Sequence, residues 1–226
     1  MKRLDAFSLK IIAITAMTLD HIGAFLYPEE IEFRVIGRLA MPIIAYLVVE
    51  GYHKTRNLKS YWLRLLGFAL LAQPVYMLAF SSGLNVLFDL LIGLSTILVI
   101  DQFRLGWVKY LLLVVVCILA ISIGLDWWHL SILMMFIFHQ LRGNFRGIAL
   151  AISALFIVNF LLFFMLSKIT GDETYLVTHS VNLACIAALP PLLMYNGFRG
   201  LDYRYFFYLY YPAHLLVIYL IKTNYF

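Results

Sequence analysis

The stretch FSLKIIAITAMTLDHIGAFLY, Phe7 to Tyr27, places an aspartate and a histidine inside an apolar run long enough to cross a bilayer. Ionisable side chains at that depth are costly, so they mark places where something is bound or made to react. The run differs from a signal peptide in three ways: its apolar region is too long, it contains Lys10 and Asp20, and no small-residue cleavage site follows before Pro28. It is therefore expected to persist as a first transmembrane helix.

The rest of the 226 residues agrees with that reading. The chain is 64% hydrophobic and 13% charged, whereas soluble domains approach a quarter charged, so an all-α, polytopic membrane bundle is expected. Apolar runs at about Phe7–Tyr27, Arg34–Tyr52, Tyr61–Phe80, Asn85–Ile100, Trp107–Gly124, Trp127–Leu141, Ile148–Leu166, Tyr175–Tyr195 and Tyr205–Ile221 predict about nine transmembrane helices. The connections are a few residues each and leave no room for a soluble domain, so residues 1–226 read as a single transmembrane domain. Cys117 and Cys185 stand singly in apolar runs, outside any CxxC or Cys/His grouping, so neither metal nor redox work is expected of them.

The formal charge of +5 is distributed in a way that excludes nucleic acid as its purpose. Basic residues fill the start of the chain and every second connection: Lys2 and Arg3, then Lys54, Arg56 and Lys59, then Arg104 and Lys109, Arg142 and Arg146, Arg199 and Arg204. The opposite connections, around Pro28, Ser81-Ser82, Leu125 and Ser167 to Glu173, hold Lys168 alone. By the positive-inside rule the basic ends are cytoplasmic. The amino terminus is then inside, an odd helix count puts the carboxyl terminus outside, and the protein is integral to the cytoplasmic membrane. Trp107, Trp127, Trp128, Tyr175, Tyr195, Tyr203 and Tyr205 sit at expected helix ends, as an interfacial aromatic belt would.

Within the expected helices lie Asp20, His21, Arg38, Glu50, Asp89 and His214. Four full charges at about 2.5–3.5 kcal/mol each, if central and unpaired, would cost about 10 kcal/mol or more. Pairing, for instance of Arg38 with Asp20 or Asp89, or a watery cavity must offset that. Lys10 and His21 are separated by 11 positions, about three turns plus 20°, so they leave one face of the first helix with a rise of about 16 Å between them. Asp20 projects about 100° away, which leaves Thr18 or Asp89 as groups that could orient the His21 ring. Arg34 and Arg38, four apart, share a face; they either clamp a substrate carboxylate or balance Asp20 and Asp89, and Pro42 beyond them is expected to kink the helix. Glu50 reads as an interfacial residue reaching for water. The run from His53 through Lys59 to Arg64 is a basic patch, suited to anionic lipid or to the phosphates of a nucleotide-like donor. His129 and His179 read as interfacial, and His214 as a mid-membrane residue of either structural or functional use.

Several of these residues recur in a known pattern. Leu9-Lys-Ile-Ile-Ala through Asp20-His-Ile-Gly-Ala-Phe-Leu, Ile36-Gly-Arg-Leu-Ala-Met-Pro, Val49-Glu-Gly-Tyr-His-Lys-Thr-Arg-Asn, Tyr61-Trp-Leu-Arg-Leu-Leu-Gly-Phe-Ala, Asn85-Val-Leu-Phe and Phe207-Tyr-Leu-Tyr-Tyr-Pro-Ala-His resemble the TraX family. That resemblance implies N-acetylation of a pilin, and through it a kinship with the transmembrane acyltransferases that include the acyltransferase-3 group and the lysosomal heparan acetyltransferase. In the acyltransferase-3 group a basic residue and a histidine with ten residues between them mark the first helix, a spacing that Lys10 and His21 fit. Arg64 matches by location the basic residues that handle acyl-CoA phosphates there. The doubled arginine motif of that group is not reproduced, since Leu65 to Phe68 are uncharged.

The resulting expectation is a membrane-embedded acetyltransferase that moves an acetyl group from cytosolic acetyl-CoA to an amine or hydroxyl on a peptide amino terminus, an amino sugar or a lipid. Lys54, Arg56, Lys59 and Arg64 would take the donor's phosphates and Lys10 would line its route. His21 would act as general base or acetyl carrier, with Asp20 and Arg38 at the acceptor or oxyanion. Arg34, Glu50, Asp89 and His214 would support substrate binding. The alternative is a small-solute or proton-coupled transporter using Asp20, His21, Arg38 and Asp89, although neither an inverted repeat nor paired broken helices are visible. A lipid-interacting structural subunit would explain the basic loops but not the buried cluster.

Overall fold

Chain entry into the first helix is set by Asp5. Its carboxylate Oδ1 accepts the Ser8 backbone N–H and the Ser8 hydroxyl, both at 2.8 Å, capping α1 (Ala6–Phe25). Those bonds hold the Asp5 carboxyl below the ordinary carboxylate range. Because that lowering favours the folded chain only while the group is ionised, its contribution is present above the unfolded carboxylate value and lost as pH falls through the folded one. Asp5→Ala is expected to cost about 1 kcal/mol at neutral pH. A drop of about 2–4 °C in the thermal midpoint would report it, and the difference from wild type should vanish in strong acid.

The computed structural model describes residues 3–80, 83–172 and 174–225. Lys2, Ser81, Ser82 and Glu173, used above in reading the connections, lie outside the described residues, as do the side chains of Tyr175 and Arg204. The described residues are all-helical. They form eleven α-helices: α1, α2 (Ile31–Gly37), α3 (Ala40–Lys54), α4 (Leu58–Phe80), α5 (Val86–Gln102), α6 (Val108–Ser122), α7 (Trp128–Gln140), α8 (Phe145–Thr170), α9 (Thr174–Asn182), α10 (Leu189–Leu193) and α11 (Arg204–Tyr225). A 3-10 segment, Leu183–Ala188, joins α9 to α10.

Two runs that read as continuous spans are broken. The run Arg34–Tyr52 divides into α2 and α3 at Arg38 and Leu39. In a helix continuous from α2, Pro42 would leave the Arg38 carbonyl without a donor and set its ring against it; with the break, Pro42 lies in the first turn of α3, where a missing N–H is tolerated. The run Tyr175–Tyr195 becomes α9, the 3-10 segment and α10, because Pro190 and Pro191 open α10 and deny donors to the turn before it. Pro74 and Pro212 stay inside α4 and α11.

By length and composition α1, α4 and α8 can each cross a membrane. The remaining predicted spans fall on helices that are shorter or less apolar than these. Large apolar side chains nonetheless stand exposed in rows, such as Leu111, Val114, Val115, Ile118 and Leu119 on α6 and Leu150, Leu161, Leu162 and Met165 on α8. Apolar surface on that scale suits a lipid surrounding.

The chain packs as two compact units. The first comprises residues 1–44 and 141–203, with α1 against α2 and α8 against α9 and the 3-10 segment, around buried Leu9, Ala13, Ile152, Phe156 and Cys185. The second comprises 45–140 and 204–225, with α5 packed on α4 and α7, α6 on α7 and α11 on α4, around Leu65, Leu90, Leu94, Met134 and Phe138.

Candidate functional site

In the first unit, α2 folds back on α1 closely enough that a methyl group on Gly37 would overlap the Asp20 carboxyl. Glycine is required there, and the approach sets two arginines on one carboxylate. Arg34 Nη1 donates to Asp20 Oδ2 at 2.7 Å and to the Asp20 backbone carbonyl at 3.2 Å. Arg38 Nη2 lies 3.2 Å from Asp20 Oδ1. The side chains of Asp20, Arg38 and Arg34 are 15%, 12% and 32% exposed, so the cluster is largely out of solvent. Oδ1 is buried and, beyond its ion pair with Arg38, receives no aligned hydrogen bond from the described residues. It therefore retains capacity to accept a donor.

His21, the next residue on α1, is buried and tilts against Phe25 at 6.5 Å between ring centroids. Lys10 lies three turns earlier on the same helix and is partly buried, while Thr18 donates its hydroxyl to the Ile14 carbonyl at 2.8 Å. Buried Cys185 lies within electrostatic range of Arg38 and Asp20. Helix α9, packed on α2, carries His179, whose ring is buried within the protein. Its ring stacks on Phe163 at 3.4 Å, and its Nδ1 is 2.9 Å from Asn159 Oδ1. An amide oxygen only accepts, so Nδ1 carries the proton and Nε2 the lone pair. A lone asparagine inside the apolar run of α8 is the signal that could have found this pair.

The other candidates lie in the second unit. Glu50, read as reaching for water, is instead buried and bonded to Lys54 at 2.8 Å, one turn on. Arg56 and Lys59 are exposed between and at the start of the helices that follow. The Arg64 guanidinium lies 5.6 Å from the Tyr61 ring centroid, and its buried Nε has no hydrogen-bond partner among the described residues. Asp89 is fully buried, and among the described residues no arginine pairs with it: its oxygens accept the Asp126 N–H at 3.1 Å, the Trp127 N–H at 3.0 Å and the Ser131 hydroxyl at 2.9 Å. It ties the start of α7 to α5. His214 Nδ1 is 2.8 Å from the Tyr210 carbonyl, which fixes the Nδ1–H tautomer, and its ring stacks on Tyr210. Among the described residues, no group of three or more His, Cys, Asp or Glu is placed to hold a metal ion.

These features define an all-helical, membrane-type protein whose first two helices enclose a carboxylate between two arginines. The TraX protein family model matches residues 6–222, and the chain belongs to the TraX family. It is similar to the probable fimbrial assembly protein FimC, serogroup H1, of Dichelobacter nodosus, at 32% identity over 95% of this chain and 94% of that one. It is also 47% identical to an uncharacterized protein of Rickettsia prowazekii over 21% of each chain. No solved structure matches the chain.

Proposed function

We propose that this chain is a multi-pass acetyltransferase of the cytoplasmic membrane, with about nine spans and its amino terminus inside. It would transfer an acetyl group from acetyl-CoA to an amine on a peptide of the fimbrial or pilin type. Membership of the TraX family and the likeness to a probable fimbrial assembly protein support the substrate class. The observation that carries the chemistry is Asp20 Oδ1, a buried carboxylate oxygen with hydrogen-bonding capacity left over, adjacent in sequence to a buried imidazole. A carboxylate oxygen only accepts, so it suits an acceptor substrate that brings an N–H or O–H donor, an amino terminus among them.

In this reading Arg34 and Arg38 keep Asp20 ionised. The acceptor nitrogen attacks the thioester carbonyl, His21 takes its proton, the carbon–sulfur bond breaks and the CoA thiolate leaves to be protonated. Lys10 lines the donor's route, and Arg38 stabilises the oxyanion. Lys54, Arg56, Lys59 and Arg64 contact the donor's phosphates, the guanidinium of Arg64 having donors to offer. An amino sugar or a lipid amine would be taken by the same chemistry.

His21→Ala is expected to lower the transfer rate by about 10²–10⁴-fold. The measurement uses purified full-length protein in liposomes, labelled acetyl-CoA, a pilin-type peptide and mass identification of the product. An unchanged rate in the variant removes His21 as base. If the wild type labels no amine-bearing acceptor in native membranes, and neither CoA nor acetyl-CoA raises its thermal midpoint, the acetyltransferase reading itself fails.

A further inference from the structure

Helices α6 and α7 of the second unit leave a groove of about 320 Å³ between them, lined by none of the residues that the proposed chemistry uses. Its size falls at the lower end of small-molecule sites, which run from about 300 to 1,000 Å³. Half-buried Cys117 of α6 and Leu133 of α7 form its floor, packed against the buried cluster of Leu113, Ala120, Leu125 and Ile132. Val114, Ile118 and Ile121 form its rim; they are exposed and continue the apolar outer surface that α6 presents at Leu111, Val115 and Leu119. Apolar surface of that extent has hydrocarbon around it.

His129, in the first turn of α7, is the one lining side chain that carries a nitrogen or an oxygen. Its Nδ1 is shut off from solvent and has no hydrogen-bond partner among the described residues. A buried polar atom left in that state costs about 1–3 kcal/mol. Water does not relieve it, because an ordered water needs about two to four polar partners, and the lining side chains offer one. A hydrogen-bonding group carried in on an apolar chain meets both demands, since the chain covers the floor while the group reaches the nitrogen.

The helices also give that chain a direction. Leu113 and Ile121 are eight positions apart on α6, a rise of about 12 Å, and one leaflet of a bilayer core is about 15 Å deep. A short connection turns α6 into α7, so His129 stands at the Ile121 end. The groove therefore has a polar end at a helix terminus, the depth at which lipid ester groups lie, and runs inward over apolar side chains alone.

We infer that this groove binds one acyl chain of a membrane phospholipid, whose ester carbonyl accepts a hydrogen bond from His129 Nδ1. A carbonyl oxygen only accepts, so His129 carries its proton on Nδ1. The lipid belongs to the leaflet at the start of α7, the outer one in the topology proposed above. The site holds or fails independently of the acetyl-transfer reading.

Full-length protein in detergent is titrated with a phosphatidylglycerol that carries a diazirine in one acyl chain, then irradiated and digested, and the adducts are located by peptide mass spectrometry. Labelling around Cys117 and at the start of α7 should saturate at about one lipid per chain. The exposed row of Leu150, Leu161 and Leu162 on α8 should instead label in proportion to the lipid added. His129→Phe keeps a ring of similar size and removes the hydrogen bond, so it should weaken the saturable labelling about tenfold. Val114→Trp, at an exposed position, fills the groove without entering the core; it should abolish that labelling and keep the wild-type thermal midpoint in lipid-free detergent. Leu150→Trp should leave the labelling unchanged. If the α6 adducts rise without saturating, bulk lipid alone covers this face, and if His129→Phe labels like wild type, the nitrogen has no part in binding. If mild oxidation joins two chains through Cys117, a second copy covers the groove. Each of these three outcomes overturns the site.

Discussion

Asp20→Asn is expected to lower the thermal midpoint of the detergent-solubilised protein by about 10 °C. Removing one member of a buried ion pair leaves its partner desolvated and uncompensated, at a cost of about 3–5 kcal/mol. For a chain of this length each kcal/mol corresponds to about 2–4 °C. The lower part of the energy range applies, because Arg34 is 32% exposed and can turn toward water, whereas Arg38 is 12% exposed. Arg38→Gln should therefore destabilise more than Arg34→Gln. The double variant Asp20→Asn, Arg38→Gln should recover part of the loss, since one buried cation goes with its anion. A midpoint within about 2 °C of wild type for Asp20→Asn would mean that water already reaches the cluster. The single variant bears on function: in Asp20→Asn assayed well below its midpoint, weaker acceptor binding at an unchanged limiting rate is the result that separates Asp20 from the base His21.

How much of this was legible beforehand differs between residues for physical reasons. That Asp20 needed a cation was readable from the cost of a charge at that depth, and Arg38 was among the few candidates. The break that positions Arg38 was half readable: Pro42 announced a disturbance, but its effect falls four residues upstream, on the carbonyl its N–H would have bonded. Glu50 was read as an interfacial residue and Lys54 as part of a basic patch, although their i,i+4 spacing already allowed the pair that the structure forms. His179 looked interfacial because it follows an outer connection. It is buried because α9 folds back against α8, whose Phe163 and Asn159 receive its ring. His53, Asp101 and His139 meet at the ends of α3, α5 and α7 without a sequence signature, since each residue closes a different apolar run and periodicity along one helix says nothing of which helix ends meet.

Asp89 shows the same limit most clearly, and its substitution is the second large effect expected. A charge-balance reading sought an arginine for it, but its partners are backbone N–H groups of Asp126 and Trp127 with the Ser131 hydroxyl, donors that every sequence possesses. Those donors hold the chain at the start of α7, where Trp128 takes a left-handed φ of 51°, a conformation that costs a bulky residue energy and persists only if its surroundings impose it. Tyr76 braces the same turn by donating to Asp126 at 3.0 Å. Hydrogen bonds to a charged acceptor contribute about 1.5–3 kcal/mol each, so Asp89→Asn, which keeps one acceptor and turns an NH₂ toward an N–H, should cost about 3 kcal/mol or more. The thermal midpoint should fall by about 10 °C, and the emission of Trp127 and Trp128 should shift to the red as the turn loosens. Ser131→Ala, which removes one donor and leaves the carboxylate and the two backbone bonds, should lose about a third of that. If Asp89 instead served as an acid or base in the chemistry, Asp89→Asn would abolish transfer while leaving the midpoint and the tryptophan emission unmoved. The pairing of those two readouts on one variant decides whether this carboxylate is a brace for α7 or a reactive group.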